Sequence, residues 1–283
     1  MLSTRQALRV ISAISLLYFA SAAFAAANNY TYLALGESIS FGYDPTLLGQ
    51  PPNAYTGYPE IVADVLFQRN RKLEVNASCP GETSGSFITV GAPDYHCQDF
   101  KAAFGLKATY PGSQLNFAIQ QLQTNKKISL VTLSMGGNDL ILLEILCGGD
   151  PTLPSFAPCV QTNLPGVLDA FGKNMAFILS QLRSQGGYTG KLILMKQYVP
   201  NNDPLFTQAI AAMNQVMVGV GTAFGAKFAD GFGAFQLASA LYQGDPCSAG
   251  LLIRLSPTTC DVHPSPAGRD LLAATVLIAL AQH

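Results

Sequence analysis

Short apolar runs alternate along the chain with longer segments of helical periodicity, and this alternation leaves few possible folds. Each run is short and ends at turn residues, which is typical of strands buried on both faces of a sheet. We predict strands at residues 32–35, 73–75, 128–133, 191–195 and 226–229, and a last helix over about 266–281 that Ser265 caps and Pro266 starts. The alternation indicates an α/β fold in which helices cover both faces of a mostly parallel five-stranded sheet.

The first 25 residues have the features of a signal peptide. Arg5 and Arg9 precede an apolar run over residues 10–20, and Ala23 and Ala25 provide the small residues of a cleavage site. The alternative is a membrane anchor, but the run is shorter than the roughly 20 apolar residues that span a bilayer. We therefore expect export to a periplasm or out of the cell, with no membrane span once the leader is removed.

The remaining chain, residues 26–283, contains no internal repeat and no low-complexity stretch, which indicates a single domain. Its formal charge is close to neutral, at −1 for the whole sequence, without a long run of Lys or Arg. This gives no electrostatic reason to expect nucleic acid or an anionic membrane as a partner. A small neutral substrate fits better, and a monomer is the default expectation.

Four polar blocks lie where chemistry is expected, because open parallel sheets bind ligands at the carboxyl ends of their strands. Ser38 follows the first strand in a turn that presents its hydroxyl, although a serine there is more often a helix cap. Gly81 lies in a Pro-Gly turn after the second strand, where an ordinary turn is the simpler interpretation. Asn138 follows the third strand, and its amide can donate to a developing oxyanion. His263, just before the last helix, is well placed to act as a base.

Together these four blocks resemble the SGNH (GDSL-like) hydrolase family, whose signature is a Ser, a Gly, an Asn and a His in this chain order. The resemblance covers nearly the whole chain after the leader and implies a three-layer α/β/α fold, similar to that of flavodoxin. It implies that Ser38 is the nucleophile and that His263 is its base. The Ser38 amide, the Gly81 amide and the Asn138 side chain would form the oxyanion hole. No metal or organic cofactor is implied.

Two positions depart from the family pattern. Glu37 replaces the usual Asp after the first glycine, at a position that we do not expect to perform the chemistry. The family also places an Asp three residues before its His, where this chain has Cys260, and Asp261 is only two residues away. Either Asp261 reaches the imidazole through a distorted loop, or a backbone carbonyl near Cys260 replaces it, because the ring N–H needs only an acceptor. A distant carboxylate, Asp230 or Asp245, is the third alternative.

Six cysteines follow the predicted leader, and an even number in an exported protein indicates disulfides. Pairing of sequence neighbours would give Cys79–Cys97, Cys147–Cys159 and Cys247–Cys260, a hypothesis that spacing alone cannot establish. A metal site is the weaker interpretation, because the sequence has no C-x-x-C motif and only three histidines.

The sequence favours a serine esterase that acts on acyl or lipid esters. Two long proline-rich loops, residues 44–58 and 148–165, carry apolar side chains that could form an acyl pocket. Two alternatives remain open. One is a binding module that has lost its catalytic acid, and the other is an acyltransferase, which would use the same nucleophile and the same oxyanion hole.

Overall fold

The computed structural model describes residues 31–68 and 74–282. The predicted signal peptide lies outside these residues, and so does Leu73, with which the second strand was expected to begin. None of the helices in the described ranges is both long enough and apolar enough to cross a bilayer.

Five parallel strands form the central sheet, in the order β2-β1-β3-β4-β5. They are β1 (Thr31–Gly36), β2 (Glu74–Asn76), β3 (Ile128–Ser134), β4 (Lys191–Met195) and β5 (Lys227–Ala229). All five strands predicted from the apolar runs are therefore present, and no bound differs by more than one residue. A separate antiparallel pair, which the sequence analysis did not predict, consists of β6 (Leu252–Arg254) and β7 (Cys260–Pro264).

Ten α-helices connect and cover these strands in the described ranges. In chain order they are α1 (Ser38–Phe41), α2 (Tyr58–Leu66), α3 (Ser84–Ile88), α4 (Cys97–Phe104), α5 (Gln114–Thr124), α6 (Gly137–Leu146), α7 (Phe156–Ser184), α8 (Pro204–Ala223), α9 (Gly231–Ser239) and α10 (Pro266–Ala281). The last helix has the predicted bounds, and the Ser265 hydroxyl accepts a hydrogen bond from the Gly268 amide at 3.2 Å. Short 3-10 turns at Pro45–Leu47, Pro52–Ala54 and Ala240–Tyr242 complete the fold.

The sheet separates two hydrophobic cores, because successive side chains of a strand point to opposite faces. Along β1, Tyr32 and Ala34 pack in one core, together with α2 and α10, while Leu33 and Leu35 pack in the other. The second core also contains Leu179 of α7 and Met213 of α8. The fold is thus the three-layer α/β/α arrangement that was expected.

The cysteines are paired as sequence neighbours. Disulfides join Cys79 to Cys97, Cys147 to Cys159, and Cys247 to Cys260. The pairing hypothesis is confirmed. Two of the three bridges lie beside predicted site residues, since Cys79 is two positions before Gly81 and Cys260 is adjacent to Asp261.

The expectation of a long loop over residues 148–165 was wrong. Helix α7 begins at Phe156 and continues through Pro165. A proline inside a helix leaves the carbonyl four residues earlier without its usual donor. Here that carbonyl belongs to Gln161, which is exposed, so water can satisfy it. Only the short segment between α6 and α7 is loop, and Cys147–Cys159 ties its ends together.

Candidate active site

Ser38 lies at the carboxyl end of β1, as the first residue of α1, and is 7% exposed. Gly36 makes this turn possible, because its φ of 130° is unfavourable for other residues and a Cβ there would lie 2.2 Å from the Ser134 carbonyl oxygen. Glu37 caps the helix by accepting a hydrogen bond from the Ile39 amide at 2.7 Å. The sequence therefore folds into a sharp strand-to-helix turn that carries the serine.

Glu37 is closer to the chemistry than the sequence analysis indicates. Its carboxylate accepts a hydrogen bond from Ser38 Oγ at 3.1 Å, and its other oxygen contacts Ser134 Oγ and Gln197 Nε2. Within residues 31–68 and 74–282, no hydrogen bond joins Ser38 Oγ to His263. Glu37 thus holds the Ser38 hydroxyl in this structure, whereas the sequence alone provides no reason to expect a contact between them.

The turn that contains Gly81 is held against the segment leading into α4. Tyr95 donates its amide to the Gly81 carbonyl at 2.8 Å, and the Cys79–Cys97 disulfide crosses the same two segments. Gly81 has a φ of 86°, and a Cβ at this position would lie 1.8 Å from the Tyr95 carbonyl oxygen. Only glycine fits here, because both its φ and the close approach of Tyr95 exclude a side chain.

Asn138 lies in the first turn of α6, directly after β3, and is buried. Its Nδ2 donates to the Glu82 carbonyl oxygen at 2.8 Å, which leaves one N–H for a ligand. The next residue, Asp139, accepts hydrogen bonds from the amide and the hydroxyl of Ser84. Burial raises the pKa of Asp139 to about 6, although these bonds counteract the effect. The Asn138 loop is thus joined to the Gly81 turn through both residues.

His263 and Asp261 are in contact. Both lie on β7, where side chains two residues apart point to the same side. Asp261 Oδ1 accepts the His263 backbone amide at 2.9 Å and also contacts Nδ1 of the ring. Partial burial acts to raise the pKa of Asp261, but the hydrogen bond and charge of His263 outweigh it, so the pKa lies below its ordinary value. An extended segment, rather than a distorted loop, brings the carboxylate to the imidazole.

The other two candidates for the acid are engaged elsewhere. Asp230 forms an ion pair with Lys196 at 2.7 Å and caps α9. Asp245 accepts the amides of Cys247 and Ser248 in its own turn. The partner of His263 Nδ1 is the Asp261 carboxylate, and not one of these distant groups.

Tyr43 connects the histidine to the serine turn. Its amide donates to the Ser38 carbonyl at 2.9 Å, and its ring meets the His263 ring edge-on with centroids 4.9 Å apart. Tyr43 in turn stacks on Tyr55, and Phe100 packs against both rings. Nothing in the sequence marks Tyr43 as a site residue, because one tyrosine in a loop carries no distinguishing signal.

The two loops proposed for an acyl pocket contribute less than expected. Tyr55 and Phe156 are almost fully buried in the second core, and Leu47 and Leu164 pack against it. Leu48 and Leu153 remain exposed. Most apolar side chains of these segments therefore stabilise the fold and are not free to line a pocket.

Cys79, Glu82 and Cys97 place potential metal-binding atoms within 4.8 Å of one another. The two sulfurs are joined in a disulfide, so neither is available as a thiolate ligand. This cluster is better described as part of the disulfide-pinned turn.

The strand-end serine, the Asp–His pair and the glycine and asparagine loops form one candidate site on an α/β/α fold. The sequence model of the GDSL-like Lipase/Acylhydrolase family matches residues 34–271. The chain belongs to this family and is an ester-hydrolysing enzyme. No curated protein matches the chain in sequence.

Solved structures share the fold at low identity. A phospholipase A1 from Streptomyces albidoflavus superposes with a TM-score of 0.60 at 17% identity, over 90% of this chain and 100% of its own. An acetylxylan esterase from Geobacillus stearothermophilus gives 0.54 at 18% identity, over 90% and 96%. A lipase from a goat rumen metagenome gives 0.57 at 17% identity, over 88% and 97%. At such identities the likeness concerns the fold.

Proposed function

We propose that this chain is an exported serine esterase that cleaves carboxylic esters through an acyl-enzyme on Ser38, with His263 as general base. The observation that carries this proposal is the contact between Asp261 and His263 beside the Ser38 turn. A binding module without a catalytic acid is disfavoured by the same contact, because a carboxylate is in place despite its shifted position in the sequence.

The mechanism begins when Ser38 Oγ leaves Glu37 and passes its proton to Nε2 of His263, while it attacks the ester carbonyl. Asp261 holds the proton on Nδ1 and stabilises the imidazolium that forms. The carbonyl oxygen becomes an oxyanion, which the amides of Ser38 and Gly81 and the Asn138 side chain would stabilise. His263 then protonates the leaving alcohol, and water releases the acid by the reverse sequence.

The surroundings of His263 support an acyl ester with some apolar character as substrate. The half-buried Tyr43 ring lies against the imidazole, and the buried rings of Tyr55 and Phe100 pack behind it. An aromatic surface gains free energy by covering apolar groups, and it offers no charge for an ionic substrate. The solved structures with this fold include one named an acetylxylan esterase and one named a phospholipase A1. The preferred length of the acyl chain therefore distinguishes a short-chain ester from a lipid ester as substrate.

Export is supported by the three disulfides, which persist in oxidising compartments. We propose that residues 1–25 are the signal peptide and that residues 26–283 form one catalytic domain. Acyl transfer uses the same intermediate, and product analysis with an added alcohol distinguishes it from hydrolysis.

A series of p-nitrophenyl esters tests the substrate proposal. We expect kcat/KM for the butyrate ester to exceed that for the acetate ester by about tenfold, since each buried methylene is worth about 0.8 kcal/mol. The control is Ser38→Ala, which should lose turnover on every ester. Best turnover at acetate would contradict the acyl-chain preference, and turnover retained in Ser38→Ala would contradict the mechanism.

A further inference from the structure

Two buried side chains that are not among the predicted site residues connect the three loops of the candidate oxyanion hole. These are Glu82, next to Gly81, and Gln114, at the start of α5. Glu82 is 2% exposed and Gln114 is 1% exposed. Neither is used in the mechanism above, so their burial calls for an explanation.

Gln114 holds the peptide that leads into Ser38. Its Oε1 accepts the Gly36 amide at 2.7 Å, and its Nε2 donates to the Gly36 carbonyl at 2.9 Å. The same Nε2 donates to Glu82 Oε2 at 2.9 Å. The Gln114 carboxamide thus binds both backbone polar groups of Gly36, the last residue of β1, and the side chain of Glu82, which follows Gly81.

Glu82 continues the connection to the third loop. Its carbonyl oxygen accepts Asn138 Nδ2 at 2.8 Å, and its other carboxylate oxygen accepts Ser86 Oγ at 2.7 Å. Burial raises the pKa of Glu82 to about 7, against the hydrogen bonds of Ser86 and Gln114. A buried carboxyl costs free energy to retain, which is consistent with a role beyond packing.

We propose that Gln114 and Glu82 are positioning residues that set the oxyanion hole, because their hydrogen bonds join Gly36, two residues before Ser38, to Glu82, next to Gly81, and to the Asn138 side chain. The inference rests on the proposed function and assigns these two residues a part in it. Displacement of reacting groups by about 1 Å can lower a rate about 100-fold, so a frame of this kind has kinetic consequences.

The test exchanges the two side chains. Gln114→Glu keeps the size but removes the donor and places a second carboxylate against Glu82, and we expect kcat to fall about 100-fold with KM within about threefold. The double variant Gln114→Glu with Glu82→Gln restores a donor between the two positions and should recover about tenfold in kcat. Glu82→Gln alone is a milder change, with an expected loss of about fivefold.

A boronic acid that forms a tetrahedral adduct on Ser38 supplies the decisive measurement. Its inhibition constant should rise by the factor by which kcat/KM falls in each variant, because the adduct occupies the oxyanion hole as the transition state does. Arg183→Met is the matched structural control. It removes three hydrogen bonds to backbone carbonyls at the amino end of the sheet, and should lower the unfolding midpoint without changing kcat/KM.

Three results would overturn the inference. One is an unchanged kcat per folded molecule in both Gln114→Glu and Glu82→Gln. Another is a loss of kcat without a parallel rise in the boronic acid constant, and the third is an exchange variant no better than Gln114→Glu. If Gln114→Glu does not fold, Glu82→Gln and its boronic acid constant decide the question. Wild-type protein that neither cleaves esters nor binds the boronic acid would instead overturn the proposed function itself.

Discussion

His263→Ala should lower kcat/KM for ester hydrolysis by about 10⁴-fold or more, and Asp261→Asn by at least about 100-fold, because removal of either member disables the proton transfer from Ser38. The contact between Asp261 and Nδ1 fixes the tautomer in which Nε2 is free to accept that proton. An asparagine at position 261 can orient the ring through its amide N–H, but this favours the wrong tautomer. Steady-state kinetics of the purified mature variants measure both losses.

Asp230→Asn is the matched control for Asp261→Asn. It also replaces a partly exposed carboxylate by its amide, but its ion pair with Lys196 lies outside the site, so kcat/KM should stay at the wild-type value. A loss in Asp261→Asn of only a few-fold, beside a large loss in His263→Ala, would contradict the triad. Ser38 and His263 would then work as a dyad, with a backbone carbonyl as the acceptor for Nδ1.

Asn138→Ala is expected to lower kcat by about 100- to 1,000-fold, the usual consequence of removing one oxyanion donor, with a much smaller effect on KM. Asn138→Asp should cost at least as much. It conserves the volume but replaces the donor by a carboxylate that faces both the oxyanion and the Glu82 carbonyl. Kinetics with a single ester at fixed pH measure the two variants side by side.

The control for this prediction is Asn163→Ala, in which the asparagine is exposed on α7 and its side chain donates to Cys159, far from the candidate oxyanion hole in sequence. It should retain full activity. If Asn138→Ala kept kcat within about threefold of wild type, the side chain would serve only to hold the Glu82 carbonyl. The oxyanion hole would then consist of backbone amides alone.

The sheet could be predicted because parallel strands buried on both faces leave short, mostly apolar runs, as residues 128–133 and 191–195 illustrate. Because ligands bind at the carboxyl ends of parallel strands, these strands also predicted the place of the candidate site, and Ser38, Gly81 and Asn138 lie there. The course of α7 through Pro165 could not be predicted, since local propensity argues against a proline within a helix, and packing of Phe171 and Leu179 overrides it.

The sequence limits the group that orients His263 to a few candidates, but it does not decide among them. Whether Asp261 reaches His263 depends on the backbone between them, and β7 is too short and too polar to be recognised as a strand. In an extended segment a spacing of two residues is sufficient, and the usual spacing of three is not needed. The contacts of Glu37, Glu82 and Gln114 could not be predicted from the sequence either, because they join residues up to 160 positions apart.

Labelling with a fluorophosphonate probe tests the central claim most directly. Such a probe reacts covalently with a serine that a neighbouring base activates. Wild-type protein should be labelled stoichiometrically, with the modified peptide containing Ser38, and labelling should disappear in Ser38→Ala while the fold is retained. Absence of labelling in folded wild-type protein, or modification at another residue, would contradict the assignment of Ser38 as the nucleophile.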